Sequence, residues 1–197
     1  MNASANSLRR PGRPRLETAE PAILAAARNA LLEEGYDGFT VDRVAARAGV
    51  ARATIYRRWS TKFDLLTALL RDVRQGFALP DTGALESDLR ALLGTYVSAK
   101  ASTAERVIAA LASEAFSDAE LSRAVRDEFV APRRREMLSL FERAVTRGEV
   151  RADIDLTMLV NVTWGFLWQR RFIVGLGIDQ PAIDGFVSTL MDGIHAV

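Results

Sequence analysis

Apolar residues recur along most of this chain at three- and four-residue intervals, the spacing that gathers them onto one face of an α-helix. An amino-terminal run carries Ile23-Leu24-Ala25-Ala26-Ala27 and Ala30-Leu31-Leu32, and Val41, Val44 and Ala45 repeat the spacing over a shorter stretch. The pattern next predicts a helix from about Thr61 to Ala78, with Leu65, Leu66, Leu69, Leu70, Val73 and Phe77 on its inner side. Leu79-Pro80-Asp81-Thr82-Gly83 reads as a loop, and Leu85 to Lys100 as a helix with Leu89, Leu92, Leu93, Tyr96 and Val97 in register. Ser102-Thr103-Ala104-Glu105 and Ser117-Asp118-Ala119-Glu120 both match the capping box, which predicts a helix start at each. Helices are further expected over Phe129–Arg147, Asp155–Gly175 and Gln180–His195. No segment shows the alternation of a strand, so the expected class is all-α.

One stretch, from Val41 to Trp59, has a more specific organisation. Ala48 precedes Gly49, a glycine placed where a helix needs a left-handed exit, and Val50 follows as a buried plug. A second short helix should open near Ala51 or Arg52. Ala53, Ile55 and Trp59 then pack inward or along the seam, while Arg52, Thr54, Arg57 and Arg58 point outward. Two helices joined by a tight glycine turn form a helix-turn-helix, whose second helix can lie in the DNA major groove. There, arginine and threonine can read base edges. A structural hairpin with merely solvated arginines is the plainer alternative for the same residues.

The flanking residues bear on that choice. Ile23-Leu24-Ala25-Ala26-Ala27, Ala30-Leu31-Leu32, Glu34-Gly35-Tyr36 and Phe39-Thr40-Val41 precede the motif. Ile55-Tyr56-Arg57-Arg58-Trp59 closes it, leading into Ser60-Thr61-Lys62-Phe63-Asp64-Leu65-Leu66. This run resembles the amino-terminal domain of the TetR (tetracycline repressor) family of bacterial regulators. It departs from the usual family pattern at Ala51, Ala53, Trp59 and Phe63. The resemblance implies base contacts from Arg52, Thr54 and Arg57, and phosphate contacts from Tyr56 and Lys62. Thr40 is a further DNA-contact candidate, and Arg58 could serve groove or phosphate. Farther on, Phe141-Glu142-Arg143-Ala144-Val145, Arg147-Gly148-Glu149-Val150-Arg151 and Asp153-Ile154-Asp155 resemble one subgroup of the family's regulatory domains. That implies a helical bundle with a ligand cavity and a dimer interface made by the last two helices. The expected organisation is a disordered basic arm (1–17), a three-helix DNA-binding domain (18–62) and a ligand-binding and dimerisation domain (63–197).

Charge is distributed accordingly. Residues 1–62 hold 11 basic and 6 acidic side chains, a balance of +5, and the remaining 15 basic and 19 acidic residues give −4. A basic end on a slightly acidic body suits phosphate contact at that end only. Arg9-Arg10-Pro11-Gly12-Arg13-Pro14-Arg15 cannot form a stable helix, and its Gly-Arg-Pro core looks like an AT-hook. Arg10, Arg13 and Arg15 could therefore follow a narrow A·T-rich minor groove, or act as a solvated tether without sequence preference. The chain has 197 residues and no cysteine, which excludes disulfides and thiolate chemistry and is compatible with a cytoplasmic location. It lacks an apolar run long enough to span a membrane and the apolar core of a signal peptide.

The last two helices are apolar over more than one stripe, as expected of helices buried on several sides. Leu156, Val160, Thr163, Leu167, Ile183, Phe186, Val187, Leu190 and Ile194 are the candidates for a homodimer contact of four helices, or else for the monomer core. Phe77, Tyr96, Phe116, Phe141, Trp164, Trp168 and Phe172 are candidates to line a pocket for a small apolar or amphipathic effector. Tyr96, Glu114, Asn161 and Gln169 could supply its polar contacts. The single histidine, His195, cannot assemble a metal site, and no phosphate-cradling loop is present, so neither cofactor nor metal is expected. Asp127 and Glu128 are adjacent on a helix and point apart, which makes an enzyme a poor reading. The expected function is a sequence-specific regulator of the ligand-released repressor type that binds a pseudo-palindromic operator. An architectural nucleic-acid binder without a ligand is the alternative.

Overall fold

Thr40 and Gly49 set the limits of a short helix whose ends are satisfied locally. The computed structural model describes residues 16–75, 79–97 and 99–194, and among these the secondary structure is helical apart from an isolated β-bridge at Val150. The first helix, α1 (Leu16–Gly38), breaks at Gly35, where φ is 71° and a side chain would strain the backbone. In α2 (Val41–Ala48) the Thr40 hydroxyl accepts the Arg43 N–H at 3.3 Å. Gly49, at φ 66°, turns the chain so that its own N–H and that of Val50 bond the Ala46 and Ala45 carbonyls. The third helix, α3, is only Arg52–Tyr56 and begins on Ala51, which has no side chain to cap it. That omission costs about 1 kcal/mol of local helix stability. Ile23, Ala27, Ala30, Phe39, Val44 and Ile55, all but solvent-free, hold these helices together.

Helix α4 (Lys62–Gln75) buries Leu65, Leu66, Leu69, Leu70 and Val73, and packs against α1. On its other side it meets the bundle formed by α5 (Leu85–Gly94), α6 (Ala99–Glu114), α7 (Ala119–Val125), α8 (Ala131–Thr146), α9 (Leu156–Trp168) and α10 (Gln180–Ile194). Helices α6 and α7 contact α4, α10 packs on α5, and α8 lies against both α5 and α9. Asp88 of α5 is fully buried. It accepts the Thr82 N–H and hydroxyl at 2.6 and 2.8 Å, with Arg143 and Arg147 within 4 Å of its second oxygen. The carboxylate thereby anchors the 79–84 loop against α8.

Several expected boundaries move. The helix expected over Leu85–Lys100 ends at Gly94 and tightens into a 3₁₀ turn at Thr95–Val97, where the Thr95 hydroxyl donates to the Leu92 carbonyl at 2.6 Å. Because α6 begins at Ala99, the Ser102–Glu105 capping box lies inside a helix and does not mark its start. The second box does mark a start, but the cap is Asp118, whose carboxylate accepts the Glu120 and Leu121 N–H groups at 2.9 and 3.0 Å. Wide i→i+5 turns join α7 to α8 (Arg126–Val130) and extend α9 (Gln169–Ile173). Met1–Arg15, Phe77 and His195 lie outside the described residues.

Candidate nucleic-acid interface and bundle crevice

The short α3 is seated from beneath. Ile55 is solvent-free and Trp59 nearly so, which turns Arg52, Ala53, Tyr56, Arg57 and Arg58 to the surface. Ala53 thus faces outward rather than inward as its apolar character suggested, because Ile55 alone occupies the seam within α3. Thr54 is half-buried at the edge of the same face, and Thr40 is exposed nearby at the start of α2. Arg52 is tethered to Asp42 of α2, and Arg58 to Glu20 of α1, with its guanidinium 5.5 Å from the Trp59 ring. Arg57 makes no ion pair among the described residues. Arg43 and Arg47 of α2 both reach back to Glu34, and Arg47 also to Glu33, so these arginines brace α1.

Lys62 departs from its expected role. Its ammonium is turned inward, donates to the Tyr36 carbonyl at 2.9 Å and lies 4.2 Å from the centre of the Tyr36 ring. Burial lowers its pKa, against the opposing pull of Asp37 and Asp118. The Tyr36 hydroxyl in turn donates to Asp118, the cap of α7, at 3.2 Å. The residue read as a phosphate contact is therefore part of a joint between the DNA-binding helices and the bundle. Further ties run from α4. Arg71 grips Glu128 with two bonds of 2.6 and 2.7 Å, Arg74 meets Glu136 at 3.0 Å, and Arg28 meets Asp72 at 2.5 Å.

Of the expected pocket residues, Tyr96, Trp164, Trp168 and Phe172 do converge, together with Glu105, Ile108, Phe129 and Leu167. They enclose a crevice of about 30 Å³, room for one water and not for an effector. Glu105 is 7% exposed and is paired with Arg171 at 3.0 Å, and burial raises its carboxyl pKa in spite of that arginine. Arg133, 1% exposed, interacts with the Tyr96 hydroxyl and donates to Glu136 at 2.8 Å. Other expectations fail. Phe116 is 94% exposed, since it falls in the turn after α6 ends. Glu114 occupies the last turn of α6, where its main-chain carbonyl accepts the Ser117 and Asp118 N–H groups. Phe141 is packed in the core away from the crevice, and Gln169 is exposed. Asn161 faces outward and accepts a 2.6 Å bond from Arg134.

The interface expectation also needs correction. Val160, Thr163 and Leu167 of α9, and Ile183, Val187, Leu190 and Ile194 of α10, are buried within the single chain. Leu156 and Phe186 are half-buried, and Phe186 stacks on Phe166 with ring centres 4.3 Å apart. The outward stripe of α9 carries Met158 and Val162 instead, 55% and 43% exposed.

Comparison with known proteins bears directly on this arrangement. The family model for "Tetracyclin repressor-like, C-terminal domain" matches residues 79–190, and that for "Bacterial regulatory proteins, tetR family" matches residues 23–69. The chain belongs to the TetR family. Its TetR-family relatives include the uncharacterized HTH-type transcriptional regulator YdeS of Bacillus subtilis (strain 168), 32% identical over 94% of both chains. Another is the DNA-binding transcriptional repressor TetR of Mycobacteroides abscessus, 34% identical over 92% of this chain and 94% of that one. A crystal structure of the TetR family transcription regulator SCO0332 superposes with a TM-score of 0.71 at 30% identity, covering 89% of this chain and 97% of the other. The protein is accordingly a TetR-type, helix-turn-helix DNA-binding transcriptional regulator with an all-α fold. Among its described residues no helix is long and apolar enough to cross a membrane.

Sequence reasoning missed three groups in this TetR-type framework: the inward Lys62, the α4 ion pairs and the buried Glu105. For Glu105 a signal existed. It stands three residues before Ile108 and six before Leu111, on the apolar stripe of α6, where a carboxylate needs a reason. The partners of Arg71 and Arg74 lie 57 and 62 residues away, and nothing local announces them.

Proposed function

We propose that this regulator binds a pseudo-palindromic operator as a homodimer, through Arg52, Thr54 and Arg57 in the major groove, and represses until a small effector releases it. The observation that carries the reading is the seating of α3, with Ile55 and Trp59 anchoring one side while its arginines stand outward. Tyr56 and Thr40 sit at the rim of this face, suited to phosphate, and Arg58 can join them by exchanging Glu20 for DNA. Arg10, Arg13 and Arg15 would extend the contact into a flanking minor groove.

Dimerisation through the outward stripe of α9 and the adjoining part of α10 gives two recognition helices one DNA turn apart, about 34–36 Å. Support comes from Met158 and Val162, large apolar side chains left in water beside the Phe166–Phe186 stack. The boundaries that suit this division are an arm over 1–17, a DNA-binding domain over 18–62 and an effector and dimerisation domain over 63–197. An effector entering beside Trp164 and Trp168 would press on the helices that contact α4, and act through its differential affinity for the two shapes.

Selection from a random DNA pool, followed by footprinting, tests the reading. An enriched inverted repeat with half-sites one turn apart is expected. Recovery of no preferred sequence, with uniform protection along any duplex, supports an architectural binder instead.

A further inference from the structure

The indole of Trp164 separates two spaces of different character. On one side is the 30 Å³ crevice, reaching inward to Tyr96 and Glu105. On the other is a surface groove of about 350 Å³, floored by Ala112, Val125, Val130 and Gly165, in which Arg134 is the sole charged lining residue. Ile108, Phe129, Trp164 and Trp168 line both, so they form the wall between them. Joined, the two spaces fall within the roughly 300–1,000 Å³ usual for sites that enclose small ligands.

Two features set this wall apart. The Trp164 Nε1–H is buried and has no hydrogen-bond partner among the described residues. Buried donors are almost always paired, and an orphaned one favours any occupant that brings an acceptor. The wall also rests on the two wide turns. Phe129 lies in the first, closed by the Ala131 N–H on the Arg126 carbonyl. Phe172 lies in the second, closed by the Val174 N–H on the Gln169 carbonyl at 2.9 Å. Such turns are frequent at functional sites, where the extra residue re-aims a side chain. Here each carries an aromatic ring to the crevice, Phe129 edge-on to Trp164 and Phe172 against Trp168 at 4.4 Å.

The geometry points to Trp164 as the movable partition of a ligand site whose occupant is a flat, uncharged aromatic compound bearing a carbonyl oxygen. The indole N–H donates to that oxygen, and the rings of Phe129, Trp168 and Phe172 supply the faces and edges for stacking. Charge is unsuited to the inner crevice because its ionic groups are already paired, Glu105 with Arg171 and Arg133 with Glu136. Arg134, on the outer groove, donates to the neutral amide oxygen of Asn161. A buried ion would displace one of these pairs or go unpaired. The inference rests on the bundle being an effector domain, but its test requires no DNA.

The test uses the full-length protein and prodan, a naphthyl ketone, beside its parent dimethylaminonaphthalene, which lacks the ketone. Prodan should bind with blue-shifted emission, and the ketone band of the bound probe should absorb at lower frequency than in a hydrocarbon solvent. Trp164→Phe keeps a ring and removes the donor. It should weaken prodan roughly five- to tenfold, the effect of one hydrogen bond, and leave the parent within about twofold. Absence of prodan binding, an unshifted ketone band in the wild-type protein, or equal losses for both probes each overturn the proposal. The band needs no variant, so a Trp164→Phe protein that fails to fold leaves the test decisive. A protein that meets these criteria yet keeps its grip on operator DNA retains the ligand site and loses the release reading, so the two fail separately.

Discussion

Lys62, the first residue of α4, holds the carbonyl of Tyr36, near the end of α1, at 2.9 Å, while its ammonium stands over the same tyrosine's ring. One side chain thus fixes the angle between the helix that enters the DNA-binding unit and the helix that leaves it. Through the Tyr36 hydroxyl the joint extends to Asp118, the cap of α7 in the bundle.

Replacing Lys62 should therefore act on geometry rather than on phosphate charge. Lys62→Met is expected to destabilise the fold by about 1 kcal/mol. It should weaken operator binding without changing the slope of log affinity against log salt. Removing a true phosphate contact reduces that slope by about 0.9. Parallel titrations of Lys62→Met and Arg58→Ala over a range of salt separate the two. A slope reduced equally in both would return Lys62 to the phosphates.

Arg52 should read a base from a side chain that Asp42 holds in place. Arg52→Ala is expected to cost about 1–3 kcal/mol at one operator position and relax preference there. Asp42→Ala frees the Arg52 guanidinium from its partner and should raise affinity for random DNA more than for the operator. Competition binding with single-position operator variants reads both effects. A uniform loss for Arg52→Ala across all positions would place it on the backbone instead.

The proposed interface separates two substitutions on one helix. Val162→Arg, on the outward stripe of α9, should give folded monomers with sharply reduced operator affinity. Leu167→Arg buries an unpaired charge in the chain's own core and should lose the helical fold outright. Sedimentation with circular dichroism distinguishes them. A Val162→Arg protein that sediments as a dimer would move the interface elsewhere.

Acid should loosen the tie between α4 and the bundle. The two hydrogen bonds from Arg71 hold the Glu128 carboxyl below its ordinary value of 4.5, despite a smaller opposing effect of burial. With the folded value depressed, the unfolded chain binds more protons in the interval between the two. The contribution is present above the ordinary value and is lost as pH falls through the folded one. Arg71 is largely exposed, so the effect stays within about 1 kcal/mol. Urea midpoints of the wild type should fall more steeply than those of Glu128→Gln as pH drops below the ordinary value of 4.5. Parallel curves would show that the pair contributes nothing.

Much of the DNA-binding half was legible because its determinants are local. The left-handed Gly49 and the spacing of Val41, Val44, Ala45, Ile55 and Trp59 act within a turn or two, where sequence neighbours are also spatial neighbours. The helical class was likewise legible from periodicity alone. The same reasoning placed Ala53 inward or along the seam, since an apolar residue on a short helix has no visible sign of whether its side is already occupied.

Beyond these, the tertiary structure decided the outcome. Helices α9 and α10 are apolar on several sides, and composition could not say which stripe meets α8 or α5 and which stays in water. Phe116 has the side chain of a core residue, yet α6 ends two residues before it and leaves it in solvent. Glu105 matched a capping box, but α6 starts earlier and carries it into the crevice, where Arg171, 66 positions later, meets it. Periodicity determined that these segments are helices, because the interactions that form a helix lie within four residues. Which face of each is buried depends on partners tens of residues away, and only the assembled bundle brings those into contact.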